Sequence, residues 1–214
     1  MRYPTLEDLI EDLKGHGVSQ RTLEGIRIVK REFFVINKEE AYLNEALPFY
    51  SQTTSQPLVI ANIIDALELT EQDIVLEFGT GSGFQTCLIA LWAQKVYSFE
   101  IDPEIYKAAV QNIEKFLSLN PNLKLNIKLY RKDIFNAQDT IDEIQKMDGR
   151  IDKAVFSFAI KEVPPFIQDK ISLIIAPIDE NRNYQKLKKI VRKENRIFFV
   201  DLGYVSFVKA RREK

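Results

Sequence analysis

One stretch decides the fold of this chain: Ile74-Val75-Leu76-Glu77-Phe78-Gly79-Thr80-Gly81-Ser82-Gly83. Its apolar start predicts a buried strand, and its glycines predict a sharp turn whose backbone can approach a ligand closely. A helix is predicted directly after the turn, over residues 84–93. In open α/β sheets ligands bind at the carboxyl ends of the strands, so this turn is a candidate binding site.

Strand-like and helix-like runs alternate through the rest of the chain. Further strands are predicted over residues 96–100, 125–130, 152–158, 173–178 and 197–208, and a helix over residues 103–117. This alternation predicts an α/β fold with a doubly wound, mostly parallel, Rossmann-like sheet. Residues 184–193 suit either a helix or a strand that forms a C-terminal β-hairpin with the tail.

The residues before the glycine-rich stretch carry a helical pattern. Helices are predicted to begin after Thr5, after Ser19 and at Pro57, because apolar residues recur there at helical spacing behind capping residues. We therefore expect residues 1–52 to form a helical and loop extension that packs on the core. Residues 53–214 are expected to form the ligand-binding domain.

Composition narrows the class of protein. The chain has 214 residues, 45% of them apolar and 29% charged, with a net charge of -1, which is typical of a globular protein and not of a general polyanion binder. One cysteine and one histidine exclude an intrachain disulfide and histidine-rich zinc sites, and no metal site is expected. The sequence contains neither a signal-peptide pattern nor a long apolar run, so we expect a cytoplasmic protein with no membrane partner.

The glycine-rich turn distinguishes between two kinds of cofactor. A dinucleotide fingerprint requires a third glycine where this chain has Phe84, which counts against NAD. S-adenosylmethionine carries an ammonium and a sulfonium group, and an acidic residue two positions before the first glycine suits it. Glu77 is that residue, and we expect Gly79, Thr80, Gly81 and Gly83 to form the rest of the binding turn.

Acidic residues also follow the next two predicted strands. Glu100 ends its strand 21 residues after Gly79, where a carboxylate can accept hydrogen bonds from both ribose hydroxyls of either cofactor. Asp133 could accept from the adenine amino group, and Ile101 or Ile134 could pack on the adenine face. The three acidic residues in this order favour S-adenosylmethionine and a class I methyltransferase fold.

Along nearly its whole length the chain resembles the protein-L-isoaspartate O-methyltransferase family. Thr53-Thr54-Ser55-Gln56-Pro57 is close to the family's Thr-Ile-Ser-Gln-Pro element, and Val75 to Phe84 is close to its cofactor motif. Further similar segments are Leu9 to Leu13, Arg31 to Val35, Ala41 to Pro48, Ala159 to Pro165 and Ala176-Pro177. The cofactor motif is shared by many methyltransferases, whereas the Thr-x-Ser-Gln-Pro element is far more specific.

The resemblance implies an activity. The family methylates the free α-carboxylate of L-isoaspartyl residues in damaged proteins, which starts their repair, so isoaspartyl peptides and proteins would be the partners. It also implies that Ser55 lies beside the acceptor carboxylate as the catalytic-site serine. From the residues alone, Ser55 is instead expected to cap the helix that Pro57 opens.

Four positions depart from the family's pattern. Ile134 replaces a glycine, Phe158 and Ile160 replace small alanines, and Asp179 replaces a glycine after Pro177. All but the first concern the acceptor side, which we therefore expect to be narrower.

Two other functions stay open. A methyltransferase acting on another acceptor, such as adenine in tRNA, would use the basic residues 186–214, where ten Lys or Arg face three acidic residues. A non-catalytic module that keeps S-adenosylmethionine binding is the second. A run of charges more often forms a solvated face, and a nucleic-acid partner is not the expectation.

Overall fold

The computed structural model describes residues 3–181, 184–194 and 196–212. Its helices are α1 (Leu6–Gly15), α2 (Gln20–Ile28), α3 (Pro57–Leu67), α4 (Phe84–Ala90), α5 (Pro103–Leu119), α6 (Gln138–Asp148) and α7 (Pro165–Gln168). Its strands are β1 (Leu47–Phe49), β2 (Gln52–Thr54), β3 (Ile74–Phe78), β4 (Lys95–Glu100), β5 (Ile127–Arg131), β6 (Lys153–Phe156), β7 (Leu173–Asn181), β8 (Tyr184–Lys193) and β9 (Arg196–Val205). None of the helices in these ranges has the length and apolar character needed to cross a membrane.

The centre of the fold is a seven-stranded sheet in the order β5-β4-β3-β6-β7-β8-β9. The first five strands in this order pair in parallel, and β8 and β9 are antiparallel. All five residues of β3 are buried, as expected for a central strand covered by helices on both faces. The predicted α/β fold with a doubly wound, mostly parallel sheet is confirmed.

The N-terminal helices begin where their capping residues predict. Thr5 caps α1 through a reciprocal capping box with Asp8, and the Ser19 hydroxyl caps α2. Apolar residues of these helices, such as Leu13 and Ile26, belong to the same buried cluster as Val75 of β3. The predicted boundary between residues 52 and 53 falls inside β2, and the division into two domains stays a prediction.

Several element boundaries differ from the prediction. α4 ends at Ala90 and not at residue 93, and β5 begins at Ile127 and not at residue 125. The extension over residues 1–52, predicted to consist of helices and loops, also contains β1, which pairs with β2 in a small antiparallel hairpin. The ambiguous residues 184–193 form a strand, so the tail is the predicted β-hairpin.

Candidate active site

Two neighbouring cavities open at the carboxyl ends of the parallel strands. The first is bordered by the ends of β3, β4 and β6, by β2 and by the C-terminal segment. The second, which we call the groove, lies between residues 44–59 and residues 204–208. The site is therefore built where parallel sheets bind ligands.

The glycine-rich turn forms one wall of the first cavity. Gly79 and Gly81 have φ angles of +94° and +54°, in the left-handed region that disfavours other residues. A Cβ atom on Gly79 would lie 3.1 Å from the ring of Phe158, whereas one on Gly81 would meet no atom within 4 Å. The turn thus leaves open space next to its backbone at Gly81.

Glu100 presents a fixed carboxylate to the first cavity. Its Oε2 accepts a hydrogen bond from the Gly81 amide at 3.0 Å, and its Oε1 accepts from the amides of Ile101 and Asp102 at 3.0 and 3.1 Å. Burial raises the pKa of this carboxyl group, and the three amide donors oppose that rise. The backbone therefore orients an acceptor group in the cavity wall.

Four more of the predicted cofactor residues line the same cavity or border it. Asp133 is 3% exposed, and its Oδ1 accepts from the Phe135 amide at 2.9 Å. Ile101 and Ile134 add apolar surface, and Thr80 lines the cavity while its hydroxyl contacts Ser98 at 2.6 Å. The cavity thus combines carboxylates with an apolar surface, as a nucleoside requires.

The structure corrects the place predicted for Glu77. Its side chain is 0% exposed and does not line the cavity. Its Oε1 accepts from the Gln85 amide at 2.9 Å, and its Oε2 accepts from the hydroxyls of Thr86 and Ser98 at 2.5 and 2.7 Å. Burial raises the pKa of Glu77 to about 7, although these donors lower it. Because Glu77 points beneath the turn, it can reach a ligand only through Gln85, which does line the cavity.

Gly83 is also placed differently from the prediction. It is the N-cap of α4 with a φ of +89°, and it does not line the cavity. A Cβ atom there would lie 2.9 Å from the side chain of Ile113 in α5. Gly83 is therefore required for close helix packing under the turn.

Ser55 lies where the two cavities meet. The residues that line both are Thr53, Ser55, Ser157 and Val208, and we call them the rim. The expectation that Ser55 caps α3 is wrong, because Gln56 is the N-cap and the Asn44 Oδ1 accepts from the Leu58 amide in the first turn at 3.0 Å. The serine hydroxyl is thus not used by the helix, and half-buried Ser55 faces the passage between the cavities.

Arg31 holds Ser55 in place, a role that was not predicted from the sequence. Its guanidinium, only 1% exposed, donates to the carbonyls of Ala41, Leu43, Glu45 and Ser55 and to the Thr54 hydroxyl at 2.9–3.2 Å. Burial lowers the pKa of Arg31 to about 10, so the group stays charged at neutral pH. The sequence signal for a buried Arg31 was its position close to two aromatic residues, Phe33 and Phe34.

The C-terminal segment also reaches the site, which the sequence analysis did not predict. Ala159 donates its amide to the carbonyl of Val208 at 2.8 Å and accepts from the amide of Ala210 at 3.0 Å. Arg211 donates to the side-chain oxygen of Gln52 at 2.8 Å. Val208, Lys209 and Arg211 therefore line the first cavity.

The four departures from the family's pattern do not narrow the groove. Ile134 and Phe158 line the first cavity, and Ile160 is 3% exposed. Asp179 forms an ion pair with Lys209 at 2.8 Å. None of the four lines the groove, and a narrower acceptor side stays a prediction.

The basic C-terminal residues are largely engaged with carboxylates. Residue 195 and the last two residues of the predicted basic segment lie outside the described residues. In the described part, Lys186 and Lys188 pair with Glu180 and Asp201, Lys189 with Glu68, Lys209 with Asp179 and Arg211 with Asp102. These pairs neutralise much of the positive charge that nucleic-acid binding would use.

A family model and two similar sequences match this chain to the same family. A family model described as protein-L-isoaspartate(D-aspartate) O-methyltransferase matches residues 5–214. A protein-L-isoaspartate O-methyltransferase of Dictyoglomus turgidum is 32% identical over 209 residues, which cover 94% of this chain and 89% of that protein. One of Dictyoglomus thermophilum is 31% identical over 207 residues, covering 94% and 88%.

A solved structure has the same fold. It is described as a protein-L-isoaspartate O-methyltransferase from Plasmodium falciparum in complex with S-adenosyl-L-homocysteine. It superposes with a TM-score of 0.81, at 22% identity, over 97% of this chain and 99% of that one. At this identity the likeness shows the fold alone.

Proposed function

The chain belongs to the protein-L-isoaspartate(D-aspartate) O-methyltransferase family, and we propose that it transfers a methyl group from S-adenosylmethionine to the free α-carboxylate of L-isoaspartyl residues in damaged proteins. The observation that carries the proposal is the family match over residues 5–214. The two cavities support it because they meet at a rim that carries three hydroxyl side chains, and methyl transfer needs two ligands in contact.

The first cavity suits S-adenosylmethionine, which supplies a methyl group activated by a sulfonium. We assign the ribose hydroxyls to the Glu100 carboxylate, because backbone amides already orient it in the wall. Asp133 would accept from the adenine amino group, and Ile101 and Ile134 would contact the adenine face. The turn from Gly79 to Gly81, with open space at Gly81, would border the methionyl part, next to Gln85.

The acceptor needs little chemical activation. An α-carboxyl group has a pKa of about 3.5, so the nucleophile is already ionised at neutral pH and no general base is required. A carboxylate oxygen forms a bond to the methyl carbon while the carbon–sulfur bond breaks, and its electron pair stays on sulfur. The protein's contribution is to orient the carboxylate and to exclude water from the site. We assign the orienting contact to Ser55 at the rim.

The product of this step explains a role in repair. By resemblance to the family, the methyl ester collapses to a succinimide, and hydrolysis of the succinimide restores some normal aspartyl linkages. Isoaspartyl peptides and proteins are therefore the proposed partners. A cytoplasmic location is part of the same proposal.

The deciding experiment uses methyl-labelled S-adenosylmethionine with an isoaspartyl peptide and its normal aspartyl twin. We expect base-labile label in the isoaspartyl peptide alone. Ser55→Ala should lower this incorporation, and Ser118→Ala serves as the matched control because the Ser118 hydroxyl bonds only within α5, to the carbonyl of Lys115. Absence of incorporation with intact cofactor binding would refute the proposal, and label in tRNA would favour the adenine acceptor instead.

A further inference from the structure

Ser157 occupies a place at the rim that the proposed function does not yet use. It follows the last residue of β6, and its amide donates to the Phe78 carbonyl at the end of β3 at 2.8 Å. Its backbone is therefore held by the central sheet. Ser157 lines both the first cavity and the groove, as Ser55 does.

The hydroxyl group of Ser157 is oriented from below by a buried chain of hydrogen bonds. The Gln85 side-chain nitrogen donates to the Glu77 carboxylate at 2.9 Å and to the Ser157 oxygen at 2.8 Å. An amide nitrogen carries two protons, and both are used in these bonds. The Ser157 oxygen is thus an acceptor toward Gln85, and its own proton is directed elsewhere.

The chain beneath Ser157 has one arrangement when Glu77 is ionised. The Glu77 carboxylate accepts hydrogen bonds from the side chains of Gln85, Thr86 and Ser98. Above its raised pKa of about 7 the carboxylate offers no proton, so the nitrogen of Gln85 and not its oxygen faces it. Gln85 is 7% exposed. In the described part of the chain, no protein group accepts the Ser157 proton.

The cations near the rim are engaged in other contacts. Lys132 donates to the Thr140 hydroxyl at 2.5 Å, Lys209 pairs with Asp179 at 2.8 Å, and Arg211 donates to Gln52. An acceptor carboxylate at the rim would therefore meet hydroxyl donors first. Neutral donors hold a carboxylate while reducing its nucleophilicity less than a full positive charge would.

We propose that Ser157 is a second hydroxyl donor to the acceptor carboxylate, acting with Ser55, and that Gln85 and Glu77 are the positioning residues that aim its proton into the rim. This inference rests on the proposed function. It assigns the two oxygens of one carboxylate to hydroxyls from two different elements, the segment before α3 and the end of β6.

The test compares Ser157→Ala and Gln85→Met with wild type and with Ser118→Ala. The readouts are KM and kcat for the isoaspartyl peptide, and calorimetric affinity for S-adenosylhomocysteine. In the presence of S-adenosylhomocysteine, we would also measure binding of the isoaspartyl peptide and of its α-carboxamide analogue. The analogue lacks the charged carboxylate and so reports on its recognition.

We expect Ser157→Ala to weaken binding of the isoaspartyl peptide by about 10-fold or more, as for one hydrogen bond to a charged group. Binding of the carboxamide and of S-adenosylhomocysteine should change less than about 2-fold. Gln85→Met should reduce discrimination between the two peptides by about 3- to 10-fold, because the Ser157 hydroxyl remains but loses its orientation.

Each failure has its own meaning. If wild type does not methylate the isoaspartyl peptide, the proposed function is wrong. If wild type does so and Ser157→Ala binds both peptides as wild type does, the role of Ser157 alone is wrong. Equal losses for both peptides or for S-adenosylhomocysteine would also overturn it, because they indicate a structural or cofactor role. Gln85→Met leaves Ser157 in place and decides the matter if Ser157→Ala does not fold.

Discussion

Replacing Arg31 by lysine should destabilise the fold and loosen Ser55 at the same time. The guanidinium makes five hydrogen bonds to four carbonyls and one hydroxyl, and its burial leaves little room for water to replace them. A lysine ammonium carries three protons, so at least two acceptors lose their donor. At about 1.5–3 kcal/mol for each hydrogen bond to a charged group, the free energy of unfolding should fall by about 3–6 kcal/mol.

Urea unfolding followed by circular dichroism measures this loss. With an m value of about 3 kcal/mol per molar, the midpoint should fall by about 1–2 M. Arg27→Lys is the matched control, because Arg27 on α2 makes an exposed contact with Glu7, and its midpoint should stay at the wild-type value. Isoaspartyl methylation by folded Arg31→Lys should also fall, since Ser55 loses a contact of its carbonyl. A midpoint equal to that of wild type would refute the role given to Arg31.

Three further outcomes are expected. Glu100→Ala should weaken S-adenosylhomocysteine binding about 10- to 100-fold in calorimetry, since hydrogen bonds to a charged group are lost. Ser55→Ala should lower turnover and keep the wild-type affinity for S-adenosylhomocysteine. Loss of cofactor binding in Ser55→Ala would contradict the separate roles given to Glu100 and Ser55. Burial raises the pKa of Glu77 to about 7, so between about pH 4.5 and 7 the folded state binds a proton that the unfolded chain has lost. The free energy of unfolding therefore falls as pH rises through this range. In urea unfolding, the free energy of unfolding should fall between about pH 5 and pH 8 by about 2–3 kcal/mol less in Glu77→Gln than in wild type. The same fall in both proteins would contradict this expectation. In thermal unfolding, Gly83→Ala should lower the free energy of unfolding by about 1–3 kcal/mol more than Gly149→Ala does. Both glycines have a positive φ, but of the two only Gly83 would bring a Cβ atom within 4 Å of a neighbour. Equal losses of stability would contradict the packing role of Gly83.

The parallel sheet and its flanking helices could be predicted because their signals are local. An apolar run followed by closely spaced glycines describes one strand and one turn, and capping residues such as Thr5 and Ser19 lie next to the helices they start. Residues 134–151, in contrast, gave no clear prediction, although α6 buries Thr140, Ile141 and Ile144 there.

The candidate site was predicted only in part. Glu100 and Asp133 end strands whose carboxyl ends meet at one edge of a parallel sheet, so topology brings them together. Glu77 has similar spacing, but its strand is buried on both faces, and the side chain points under the turn to Gln85 and Thr86. Sequence spacing alone does not distinguish these two directions.

By itself, the sequence determined the α/β class, the glycine turn, the family and the cofactor, because each depends on neighbouring residues or on a contiguous motif. The tertiary structure was needed to show that Arg31 contacts Ser55, that Ser157 lies with it at the rim and that the C-terminal segment lines the first cavity. These contacts join residues that are distant along the chain. Their geometry depends on how the sheet, the β1–β2 hairpin and the tail pack together, and a hydrogen bond forms only when that packing brings donor and acceptor within reach.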